Sequence, residues 1–210
     1  MLSTFHQENY RQLCDELSTR DRHLLSIIEQ HGYPPLWKRK PGFATLVHII
    51  LEQQVSLASA RAALEKLKAK LGTITPKKLL ALTDEELRAC YFSRQKTVYV
   101  RALANAILSG EIDLKKLNTE PDEQIREKLK KIKGIGDWTV DIYLLMALSR
   151  TDIFPTGDLA MMNSLKKIKK LGAGVSREKI LELSEGWSPY RSLATMLFWH
   201  IYLRERNCKL

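Results

Sequence analysis

Leu129-Lys130-Lys131-Ile132-Lys133-Gly134-Ile135-Gly136-Asp137-Trp138-Thr139-Val140 decides the fold. Two glycines flank one apolar residue between two helix-forming segments, about 122–132 and 137–148. Glycine permits the tight turn and lets another chain approach the backbone closely. Ile135 between them can anchor the turn in a core. The turn leads into a helix N-terminus, where unpaired amides and the helix dipole favour an anion. Lys130, Lys131 and Lys133 add positive charge beside it. An ordinary helical hairpin using glycine for its turn is the competing reading. The lysines and the Trp-Thr that follow favour a phosphate grip.

Outward from this stretch the chain reads as all-α. Gly and Pro punctuate it, and no segment alternates long enough to make a convincing strand. Helices are expected to begin near Thr4 and Asp21. The run Tyr33 to Gly42 holds three prolines and cannot continue a helix. Phe43 to Gln53 and Ser56 to Leu71 follow. Thr83-Asp84-Glu85-Glu86 is a capping box, and Ser93 is an N-cap. Apolar residues wrap most of Asp137 to Leu148, so that helix is expected to be buried. Later helices are expected at about Asp158–Leu171, Ser176–Glu185 and Pro189–Arg204.

The 210 residues suit one domain or two small interlocked lobes. Thirty-four Lys and Arg stand against 24 Asp and Glu, a net charge of +10 that points to a polyanionic partner. No apolar run reaches the ~18 residues of a membrane helix. The first residues, Met1-Leu2-Ser3-Thr4-Phe5-His6, lack the basic and apolar regions of a secretory signal. Cys14, Cys90 and Cys208 are far apart and odd in number, which fits neither a disulfide framework nor a zinc site. Nor do they supply the four thiolates an iron–sulfur cluster usually takes. A reducing cytoplasmic setting, associated with the nucleoid, is the expectation.

Phe154-Pro155-Thr156-Gly157-Asp158-Leu159 is the second informative stretch. Asp158 opens a lysine-rich helix and is a good N-cap. A carboxylate there also stays ionised, because dipole and amides favour the anion. The two roles are compatible. Ile49-Ile50-Leu51-Glu52-Gln53-Gln54-Val55-Ser56 is the third: two glutamines between an apolar helix and a Ser-capped one. Two solvated polar residues at a helix junction is the plain alternative.

The hairpin stretch closely resembles the helix-hairpin-helix of the HhH-GPD DNA glycosylase superfamily, and the chain as a whole resembles its 3-methyladenine DNA glycosylase II branch from about residue 40 onward. The resemblance implies two helical lobes with the active site in the cleft between them. Residues 41–148 would form the lobe containing the hairpin, about 122–148. Residues 1–40 and 149–210 would form the other. The resemblance implies phosphate binding through Lys133, Gly134, Ile135, Gly136 and Thr139, without base reading. A sodium or potassium ion would sit on the carbonyls of Lys131, Lys133 and Gly136. Pro155-Thr156-Gly157-Asp158 matches the Pro-x-x-Asp element that carries the catalytic aspartate. Some alkylation glycosylases have a second aspartate where Gly157 stands, so a single carboxylate is expected to suffice.

Gln53-Gln54-Val55-Ser56 resembles the turn that fills the gap left by a flipped nucleotide, with Gln54 as the wedge and Gln53 beside it on DNA. Some relatives place Leu at the Gln54 position. Ser93-Arg94-Gln95-Lys96 resembles the family's Gly-x-Ser-x-x-Lys segment, giving Ser93 and Lys96 as DNA contacts, except that Tyr91 replaces the usual Gly. Bifunctional members carry a lysine two residues after the second hairpin glycine. Here that residue is Trp138, so a lyase pathway through a Schiff base is disfavoured. Trp138 suits a pocket wall for a cationic alkylated purine; Phe43 and Tyr91 are further pocket candidates. Glu185-Gly186-Trp187-Ser188-Pro189-Tyr190-Arg191-Ser192 resembles another run of the branch, in which Arg191 reads as structural. The extra N-terminal β-domain of some bacterial relatives is not expected.

The function implied is a monomeric, monofunctional base-excision-repair glycosylase that acts on alkylated purines in double-stranded DNA, with no iron–sulfur cluster. A glycosylase for hypoxanthine or a mispaired base is one alternative. A non-enzymatic helix-hairpin-helix DNA-binding module is the other.

Overall fold

A computed structural model describes residues 3–117, 119–172 and 174–207, and among these the regular elements are all helices. The helices in chain order are α1 (Tyr10–Ser18), α2 (Arg22–His31), α3 (Phe43–Glu52), α4 (Leu57–Leu71), α5 (Pro76–Leu80), α6 (Asp84–Ala89) and α7 (Arg94–Leu108). They continue with α8 (Leu114–Leu117), α9 (Asp122–Lys130), α10 (Asp137–Ile142), α11 (Leu159–Ile168), α12 (Arg177–Glu185) and α13 (Arg191–Glu205). The chain divides into two compact units, Arg39–Tyr143 and Met1–Lys38 with Leu144–Leu210. The sequence had placed the breaks near 41 and 148. The second break falls instead inside a continuous helix, where α10 passes into a π-helical turn, Tyr143–Ala147.

Local chemistry explains most of the helix ends. Asp21, Ser56, Thr75, Ser93, Asp158 and Ser176 each accept a backbone N–H of the first turn that follows. Thr83 and Glu86 form the expected capping box in both directions. Pro121 precedes α9 and acidic residues fill its first turn, where the dipole favours them. One expected start is corrected. No helix begins near Thr4: that residue makes an isolated antiparallel bridge with Arg150, with the Phe5 N–H donating to the Ser149 carbonyl at 2.9 Å. The extended pairing takes these backbone groups, and helix begins only at Tyr10.

In the first unit named, α7 packs against α5, α6 and α3, and α3 against α4 and α10. Leu46, Val47, Ile49, Ile50, Val100 and Leu103 are wholly buried there. In the second unit α13 is central, packed by α11, α2 and α1. It is buried at nearly every position from Ser192 to Leu203, polar Ser192, Thr195 and His200 included. Arg191 at its start is structural, as its sequence context suggested. Its guanidinium grips Asp152 in a two-point pair at 2.7 and 2.7 Å. Burial raises the Asp152 pKa, but the bonds and charge of Arg191 outweigh it and hold the carboxyl below its ordinary value. Cys14 and Cys90 are buried free thiols; Cys208 lies outside the described residues.

Candidate active site and nucleic-acid interface

The hairpin is α9, the turn 131–136 and α10. Its two helices are tied by Arg126, whose guanidinium pairs with the buried Asp141 at 2.5 Å, and by Lys130 on Asp137 at 2.6 Å. Ile135 is buried and anchors the turn. The two glycines serve different ends. Gly134 adopts φ +92, and a Cβ there would lie 2.0 Å from the Tyr99 ring. Gly136 has φ −106 and ψ −177, which any residue can adopt, and open space where its Cβ would be. It is the N-cap of α10 and contributes no side-chain bond to the helix. A glycine at this N-cap leaves the start of α10 without a capping side chain, in a geometry that favours an anion at the helix N-terminus. Lys133 is exposed beside the turn.

The Gln-Gln turn lies in the same unit. Gln54 is exposed in the left-handed region at φ 56. Gln53 does not project outward. Its side-chain amide donates to the Gly134 carbonyl and to the Thr139 hydroxyl, both at 2.9 Å. Thr139 is only 1% exposed, so its side chain faces Gln53 and not solvent. Lys96, expected on DNA, is half-buried and donates its ammonium to the Leu51 carbonyl. Burial depresses its pKa. The Ser93 hydroxyl is occupied as the cap of α7, accepting from the Lys96 N–H.

The three pocket candidates are not equivalent. Trp138 is half-buried at the second position of α10. Phe43 is buried at the first position of α3. Tyr91 is 60% exposed, with the Lys66 ammonium 4.3 Å from its ring centre. It borders a groove of about 300 Å³ beside the Gln-Gln turn, with Leu51, Val55, Ser59 and Lys96 also in the lining. Its φ of 65 lies in the left-handed region that glycine adopts freely.

Asp158 belongs to the other unit. It is 9% exposed and caps α11, its Oδ1 accepting from the Met161 N–H at 2.8 Å. The same oxygen accepts from the Trp199 indole N–H at 3.0 Å. Trp199 is itself fixed edge-on by Trp37, ring centres 6.4 Å apart. Sequence reasoning missed Trp199. The available signal was an indole N–H in a mostly apolar, buried segment, a donor that must find a partner. Such a carboxylate is oriented on one oxygen by two N–H groups and is largely withdrawn from water. That arrangement suits electrostatic stabilisation of a positive charge developing nearby.

A two-glycine turn between α9 and α10 makes this a helix-hairpin-helix protein, and the buried helix-capping carboxylate follows it in the chain. Residues 47–189 match the family model for the HhH-GPD superfamily base excision DNA repair proteins, and the chain belongs to that family. It is 30% identical to a putative DNA-3-methyladenine glycosylase of Bacillus subtilis, across 93% of this chain and 70% of the relative. It is also 30% identical to DNA-3-methyladenine glycosylase 1 of Schizosaccharomyces pombe, across 85% of this chain and 80% of that one. Among solved structures, the S. pombe 3-methyladenine DNA glycosylase in complex with abasic DNA superposes with a TM-score of 0.82. That match is 26% identical and covers 90% of this chain and 95% of the other. Among the described residues no helix is long and apolar enough to cross a membrane.

Proposed function

We propose that this chain is a monofunctional DNA glycosylase that hydrolyses the N-glycosidic bond of alkylated purines of the 3-methyladenine and 7-methylguanine type in duplex DNA. The observation that carries the reading is Asp158, a buried carboxylate aligned by Met161 and Trp199 in a chain of this family. The hairpin holds a backbone phosphate through the amides after Gly136. Gln54 occupies the space the damaged nucleotide leaves. Flipping costs a few kcal/mol and least for a weakly paired base, which is part of the selection.

The chemistry follows from charge. An N3- or N7-alkylated purine is cationic and attracts an aromatic face, the role assigned to Trp138. As the C1′–N bond breaks, its electron pair neutralises the base and positive charge moves to the sugar. Asp158 stabilises that charge from a fixed position. Water then adds to C1′ and gives up a proton, with Asp158 as the nearby acceptor. The leaving base is already activated, so one carboxylate is enough. The names of the relatives support the substrate class, and the phosphate grip is supported by the open space at Gly136.

The residue two after Gly136 is an indole, which cannot form a Schiff base with the sugar. Borohydride treatment during turnover on methylated DNA is therefore expected to give no covalent protein–DNA adduct. A stoichiometric adduct, seen as a shifted band in a denaturing gel, would establish lyase chemistry instead. The founding test is release of free 3-methyladenine or 7-methylguanine from methylated duplex. If no base is freed while DNA is bound, duplexes carrying hypoxanthine or a mismatch decide whether the lesion differs or the protein is a binding module.

The reading includes a sodium or potassium ion on the carbonyls of Lys131, Lys133 and Gly136. These are hard oxygen donors, the type a sodium or potassium ion takes. The Gly136 carbonyl accepts the Val140 N–H at 3.1 Å and keeps a second lone pair for the ion. Such an ion would add positive charge at the phosphate. The working form is proposed to be a monomer on double-stranded DNA in the cytoplasm.

A further inference from the structure

The three residues before the exposed Gln54 are each clamped within their own unit. The Leu51 carbonyl takes the Lys96 ammonium. The Glu52 carboxylate receives two bonds from Arg39, both at 2.7 Å, with the His48 Nε2 at 3.4 Å. Gln53 reaches 81 and 86 residues along the chain to the hairpin. Both hydrogens of its amide are spent there. One goes to the carbonyl of Gly134 in the turn, the other to the hydroxyl of Thr139 in the first turn of α10. The amide cannot serve DNA as a donor without releasing the hairpin. The turn residue that follows, Gln54, stands in a left-handed conformation that is unfavourable for a non-glycine residue. It keeps that conformation only if its neighbours are held.

We propose that Gln53 is a positioning residue that couples the wedge at Gln54 to the phosphate grip, so that discrimination of a flipped or missing base, and not DNA binding as such, depends on the bonds from Gln53 to Gly134 and Thr139. The inference rests on the glycosylase reading above. Its physical content is register. The hairpin fixes where the phosphate lies, and the strut fixes where the wedge lies relative to that phosphate. A wedge misplaced by an ångström loses most of its contact with the gap it should fill. Binding to undamaged DNA uses the amides of α10 and not the wedge, so it does not need the strut.

The experiment compares affinities for a duplex carrying a tetrahydrofuran abasic analogue and for the same duplex undamaged, at one salt concentration. The proteins are wild type, Gln53→Met, Thr139→Val and Thr139→Ser, with thermal melting measured for each. Thr139 is the informative site, because its buried side chain cannot touch DNA. Expected is a preference of wild type for the abasic duplex that falls about fivefold to tenfold in Gln53→Met and about threefold to fivefold in Thr139→Val, one or two hydrogen bonds' worth. Affinity for undamaged duplex should fall by less than affinity for the abasic duplex. Thr139→Ser keeps the hydroxyl and should restore the preference. An unchanged preference in both variants would overturn the inference. So would a parallel loss on both duplexes, whether it came from Gln53→Met alone, as for a direct DNA contact, or from both variants with lowered melting, as for a merely structural bond. Wild type showing no preference would sink the glycosylase reading itself, and the coupling with it.

Discussion

Asp158→Asn is expected to lower single-turnover base release from methylated duplex by on the order of 10²–10³-fold, the usual loss when one fixed electrostatic partner of a transition state is removed. Affinity for an abasic-analogue duplex should change little. Two roles meet in this side chain, and Asn separates them. As an N-cap, Asn is about as good as Asp, so the bond from the Met161 N–H survives and α11 keeps its start. The Trp199 indole still finds an oxygen to donate to. Only the charge is gone. Asp158→Ala removes charge and cap together and should add a stability loss of ~0.5–2 kcal/mol that Asn does not show. Trp199→Phe tests the alignment: the charge remains but loses its second N–H donor, and release should fall about tenfold with no loss of duplex affinity. If Asp158→Asn releases base as fast as wild type, the carboxylate is a helix cap and nothing more. The proposed stabilisation of the sugar cation is then wrong.

The features legible in the sequence are those whose causes are local. A cap is written in four consecutive residues, so Thr83, Ser93 and Asp158 could be read directly. The hairpin could be read because glycine's conformational freedom is an intrinsic property. The less legible features depend on partners far along the chain. Trp199 reaches Asp158 across 41 residues and Gln53 reaches Thr139 across 86. No periodicity announces either bond. Thr4 misled because pairing with Arg150 overrides local propensity. The π turn at Tyr143–Ala147 was invisible for another reason: Leu144, Leu145 and Ala147 are as compatible with α-helix as with π. Lys96 shows the same limit in a charged residue. Its type suggests phosphate, while its place beside the end of α3 turns the ammonium to a carbonyl.

The two hairpin glycines should fail in opposite ways. Gly134→Ala forces a side chain into φ +92 and sets a methyl 2.0 Å from the Tyr99 ring. The backbone conformation alone costs ~1–2 kcal/mol, and overpacking adds roughly 1–3 kcal/mol. The melting temperature should drop by several degrees, and binding of every duplex should weaken because the turn is displaced. Gly136→Asp meets no such obstacle. Its backbone is extended and the space is open. Asp is among the best N-caps, so α10 gains the capping side chain that glycine does not supply, and melting should rise or hold. Yet the first amides of α10 are the proposed phosphate site. A built-in carboxylate would both occupy them and repel DNA, and affinity for damaged and undamaged duplex alike should fall tenfold to a hundredfold, the worth of a charge-assisted bond. Stability and binding then move apart in one variant and together in the other. Melting curves beside salt titrations of binding measure both. A Gly136→Asp protein that binds DNA as well as wild type would remove the α10 amides from the phosphate grip, whatever Gly134→Ala does.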